Sequence, residues 1–96
     1  MMAKPIDNLQ KAIKTFSERN KTYGDNYIQH GKVMKALFPN GVDLRTEKEY
    51  NRFGVINMMV AKLTRYSQGW PSAHQDSIHD LGVYSFMLES LDDDSI

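Results

Sequence analysis

A chain of 96 residues suits one small domain with a single core, and 41% hydrophobic against 25% charged residues is the balance of a globular protein. It has no cysteine, which excludes disulfides, thiolate zinc sites and thiol nucleophiles. The formal charge is zero but unevenly divided: residues 1–48 carry nine Lys/Arg against five Asp/Glu and residues 49–96 carry three against seven, without the net basic footprint of a duplex-binding protein.

The first helix is expected over about residues 5–20. Ile6, Leu9, Ile13 and Phe16 recur at three- or four-residue steps, and Pro5 suits a first turn. "ERNKTYGD" (Glu18 to Asp25) follows as a connector, with Gly24 free to take positive φ and Asp25 placed to cap the second helix. That helix, about 25–38, carries Ile28, Val33, Met34 and Leu37 and is broken by Pro39-Asn40-Gly41.

The third helix, about 46–66, has the strongest signals. Thr46 and Glu49 fit a capping box, and Phe53, Ile56, Val60 and Leu63 form a stripe. At 100° per residue, Asn51, Val55, Met58, Lys62 and Arg65 lie on the other side. Two partly apolar sides place this helix centrally in the fold or at a subunit interface; on a surface helix, Lys62 and Arg65 would simply snorkel. The helix ends near Gly69 and Pro71, beside Trp70. A fourth helix, about 72–91, carries Ile78, Leu81, Tyr84, Leu88 and Leu91. It ends in an acidic tail expected to fray, because carboxylates sit at the wrong pole of the helix dipole. No segment alternates like a strand. The expected fold is all-α, a compact four-helix bundle-like domain.

Nothing at the N-terminus reads as a signal peptide and no apolar run approaches a membrane span, so the expected compartment is the cytoplasm. The candidate chemistry lies in "HQDSIHDLGVY". Asp76 and Asp80 are four apart, about 40° from each other on a helix, and two such carboxylates repel unless a cation compensates. Mg²⁺ would do so, as would Lys62 or Arg65. The structural alternative puts Asp76 in a favourable first turn and Asp80 in solvent. His30, His74 and His79 lack zinc-site spacing, while His74 has the chemistry to hydrogen-bond a ligand.

Taken in order, "KTYGDNY", "AKLTRYSQG" and "HQDSIHDLGVYSFML" resemble small phage-encoded proteins of the MazG-like, all-α nucleotide pyrophosphohydrolase type, over about residues 18 to 91. The resemblance implies Mg²⁺-dependent cleavage of a (deoxy)nucleoside triphosphate to monophosphate and pyrophosphate, in the host cytoplasm if the protein is phage-encoded. It sets Asp76 and Asp80 as metal ligands, although the family's acidic pair there is usually spaced by three. The family's glutamate-rich metal motif has no counterpart: Asn57, Lys62 and Arg65 stand where acids are expected. Either Glu18 and Asp25 complete a metal site from the connector, or the protein binds nucleotide without hydrolysis. On this reading Lys21, Lys62 and Arg65 meet phosphate oxygens, Tyr23 stacks on a base, and Asp25 and His74 join the ligand-binding set.

Three functions therefore stand: a divergent pyrophosphohydrolase, a non-catalytic binder or sponge of a nucleotide or cyclic-nucleotide defence signal, and a helical protein-interaction module. Whether the chain is an enzyme is open, and no catalytic residue is assigned. A homo-oligomer, at least a dimer, is expected under all three.

Overall fold

The computed structural model describes residues 4–23 and 26–93, with the side chains of residues 22, 23 and 26 left out. Four helices follow in order: α1 (Pro5–Tyr23), α2 (Asn26–Leu37), α3 (Glu47–Gln68) and α4 (Gln75–Asp92). No strand occurs among the described residues, and the fold is all-α. Gly24 and the expected cap Asp25 lie outside the described residues.

The helix limits follow from local chemistry. At α3, the Thr46 hydroxyl accepts from the Glu49 N–H (3.1 Å), and the Glu49 carboxylate accepts from the Thr46 N–H (3.0 Å). This reciprocal pair satisfies two of the orphan donors at a helix start. Gly69 caps the other end of α3. The Gly41 turn has φ of 83°, a left-handed conformation that glycine adopts without strain, and Lys35 Nζ donates to the Pro39 carbonyl at 2.7 Å. The start of α4 differs from expectation: the helix begins at Gln75 rather than near Ser72, because His74 supplies the cap.

α3 is the central element. Phe53, Asn57, Thr64 and Gln68 lie within about 60° of one another round the helix. They face α2 through an edge-on Phe38–Phe53 pair (centroids 5.7 Å apart), a His30–Asn57 hydrogen bond (3.0 Å) and a Gln68–Gln29 hydrogen bond. Val60 belongs to the same face and is buried; its burial is worth about 2 kcal/mol. Thr64 is buried too, and its hydroxyl donates to the Ala61 carbonyl (3.0 Å), so the polar atom is not orphaned. Leu63, expected on the buried stripe, is about half exposed, and Thr64 takes the inward place.

The opposite side of α3, with Arg52, Val55 and Lys62, faces α4. Lys62 pairs with Asp80, and Arg52 pairs with Asp92 at 2.7 Å. The two pairings run in opposite directions along the helices, so α3 and α4 form an antiparallel hairpin. The Arg52 contact ties down the acidic end of α4 as far as Asp92; the rest of the tail, residues 94–96, lies outside the described residues.

The expectation of a compact bundle fits α2, α3 and α4 and fails for α1. All described α1 side chains, through Lys21, are exposed. The radius of gyration is 17.0 Å, with extents of 51 × 38 × 28 Å, where about 12 Å is usual for a compact chain of this length.

Candidate functional site

The seam between α3 and the first turns of α4 collects most of the expected site residues. Lys62 Nζ lies 3.2 Å from Asp80 Oδ2, with the Lys62 side chain 16% exposed and that of Asp80 44% exposed. Lys62 therefore does not snorkel: its stem is sheltered by the hairpin and its ammonium compensates the carboxylate. Arg65, half-buried, lies three residues further along α3, about 60° round the helix. Because the hairpin is antiparallel, Arg65 is set toward the start of α4.

That start is built by His74 and Ser77. His74 Nδ1 accepts from the Ser77 N–H (3.3 Å) and from the Ser77 hydroxyl (2.7 Å). Ser77 is only 2% exposed and is the most deeply buried polar residue described. Its hydroxyl, unable to reach water, is matched by the imidazole. Asp76 occupies the first turn, where an acid meets the positive pole of the helix dipole, and is exposed. Ala73, His74, Gln75 and Asp76 line a shallow, open hollow there.

The seam thus joins two cationic side chains, a helix N-terminus and two carboxylates. An anion fits the first two features, since helix N-termini and basic side chains both attract phosphate. A divalent ion fits less well. Among the described residues no three His, Asp or Glu side chains are grouped to hold one, and Asp80 already faces an ammonium. The described residues group no such donor set for the Mg²⁺ ion that the family resemblance implies.

Of the connector residues, Glu18 and Lys21 lie exposed on α1. The Tyr23 side chain and Asp25 fall outside the described residues.

Two features escaped the sequence reading. His74 as a helix cap lacks the usual Ser, Thr, Asp or Asn signature; the only hint is the serine three residues on. The His30–Asn57 bond joins residues 27 apart and has no local signal. Asn57 Nδ2 donates to the Phe53 carbonyl (3.0 Å), leaving Oδ1 to accept from His30 Nε2. A polar contact thus occupies a place on α3 where the resemblance expects acid.

Among the described residues no helix is long and apolar enough to cross a membrane. No protein-family model matches this chain, and no match was found among curated proteins or solved structures.

Proposed function

We propose that the protein is a nucleotide-binding protein that holds its ligand by the phosphates at the α3–α4 seam, without metal-dependent hydrolysis. The observation that supports this reading is the Lys62–Asp80 pair, an ammonium facing a carboxylate that the resemblance assigns to metal. Lys62 and Arg65 supply the charge for phosphate oxygens, Arg65 being suited to bidentate contact. His74, already fixed by Ser77, orients the start of α4, where Asp76 has the acceptor oxygens for a ribose hydroxyl. The resemblance of the ordered motifs to MazG-like proteins supports the choice of a nucleotide over other anions. A cyclic-nucleotide signal is also a candidate ligand for such a sponge.

A second reading, the divergent Mg²⁺-dependent pyrophosphohydrolase, draws on the exposed Asp76 carboxylate one helical turn from Asp80. Incubation with a panel of nucleoside triphosphates and Mg²⁺, with pyrophosphate release and binding measured side by side, separates the two. Saturable binding without product supports the binder. Product release overturns it in favour of the hydrolase, and absence of binding to linear and cyclic nucleotides removes both.

A further inference from the structure

The first helix of this protein has the pattern of a buried helix and the exposure of a surface one. Ile6, Leu9, Ile13 and Phe16 lie within about 80° of one another round α1, and each is more than half exposed. The deficit extends beyond α1. Val60 is the one fully buried hydrophobic residue described. The chain's accessible surface is 7807 Å², where a folded monomer of 11.1 kDa is expected to expose about 5,700 Å². The excess, roughly 2,100 Å² per chain, is within what each subunit of an obligate dimer covers.

The charges indicate what covers it. Within α1, Lys11, Lys14, Arg19 and Lys21 outnumber Asp7 and Glu18. α4 carries Asp76, Asp80, Glu89 and Asp92 with no lysine or arginine at all. Away from the α3 contact it exposes Val83 and Phe86, with Phe86 71% exposed. A basic helix with an uncovered apolar stripe and an acidic helix with an uncovered apolar face exist on the same chain, and no extensive packing joins them.

We propose that the occupant of these faces is a second copy of this chain: α1 of one protomer lies across the outer face of α4 of the other, and the exchange is reciprocal. Apolar side chains fill the centre of the contact, while the lysines of α1 meet the exposed Glu89; Asp80 and Asp92 are engaged by α3. The complementarity is between two different surfaces of one sequence, so a two-fold axis makes two equal α1–α4 contacts and closes the assembly. This inference is independent of what binds at the α3–α4 seam.

The absence of cysteine makes disulfide trapping clean. Full-length chains bearing Ile13→Cys and, separately, Val83→Cys, both near the middle of their helices, are mixed and oxidised. The expected result is a covalent dimer formed in the mixture at several times the yield of either variant alone. Sedimentation of the wild type gives a dimer or a multiple of it, and Phe86→Asp, a change on an exposed face, shifts it to monomer with its helical circular dichroism retained. Preferential self-crosslinking of the Ile13→Cys chain would overturn the proposal in favour of α1–α1 pairing. A wild-type monomer at all concentrations would overturn it as well, whether α1 then folds back on its own chain or awaits a different protein. A Phe86→Asp variant that stays dimeric would equally contradict it.

Discussion

α1 and α3 share a sequence pattern and differ in everything that pattern is usually taken to mean. Both repeat large apolar residues at three- and four-residue steps. α3 is covered on two sides, by α2 through Phe53 and Asn57 and by α4 through Lys62 and Arg52, whereas the stripe of α1 faces outward. Periodicity states which face of a helix must leave water; it is silent on which chain provides the cover. The contacts carry the distinction: α3 has specific long-range polar partners, while α1 shows an edge-on approach of Phe16 to Tyr27, centroids 6.2 Å apart.

The comparison breaks most sharply at Val60. Val60→Ala is expected to cost about 2 kcal/mol in urea-induced unfolding, at any protein concentration, because it opens a cavity inside the chain. Ile13→Ala, an apparently similar change in α1, should alter stability little in dilute monomer and more as concentration rises. Equal, concentration-independent losses for the two would abolish the distinction.

The hairpin pair is next. Asp80→Ala strands the Lys62 ammonium, the more sheltered of the two groups, and is expected to cost about 1–2 kcal/mol. Lys62→Ala leaves Asp80, which water reaches, and should cost under about 1 kcal/mol. Reversal of that order in denaturant titrations would mean the ammonium is better solvated than its place in the seam implies.

The caps yield the smaller effects. Thr46→Ala removes one half of the capping box and should lower stability by about 1 kcal/mol. Glu49 adds a dependence on pH. Its carboxyl titrates below its ordinary value of 4.5, held there by the Thr46 side chain and then by the Thr46 and Arg45 N–H groups. A carboxylate depressed in the folded state stabilises above its unfolded value, and that contribution is lost as pH falls through the lower, folded one. The stability gap between wild type and Glu49→Gln should therefore be present above pH 4.5 and close on acidification. A gap that widens in acid would contradict the capping role.

How much of this was legible in the sequence varies with the range of the interaction. The α3 capping box and the turn at Gly41 are contacts between near neighbours, and Thr46, Glu49 and the Pro39-Asn40-Gly41 run announce them. The choice between a surface and a central α3 was open, since Lys62 snorkels or pairs depending on what stands opposite. The structure puts Asp80 there. The start of α4 was misjudged by three residues because an imidazole does the work of a hydroxyl or carboxylate cap. The exchange of Leu63 for Thr64 on the inner face was illegible for a related reason. A threonine whose hydroxyl bonds back to Ala61 can be buried like an apolar residue, and composition alone ranks leucine higher.

For the candidate site, the sequence grouped Lys62 with Asp80 through charge compensation, and that pairing is present. It also drew Glu18 and Lys21 into the same pocket through resemblance, and both lie exposed on α1. If α1 lies against another protomer, its C-terminal residues belong to a neighbour's surroundings more than to their own seam.

In the proposed function, Lys62 serves phosphate where a metal would otherwise be needed. Calorimetric titration of the wild-type protein with linear and cyclic nucleotides, in the presence of a metal chelator, tests it most directly, with Lys62→Gln run in parallel. Saturable binding that survives chelation and is lost or weakened at least tenfold in Lys62→Gln is the expected result. Binding that requires Mg²⁺, or that is indifferent to Lys62→Gln, would contradict it.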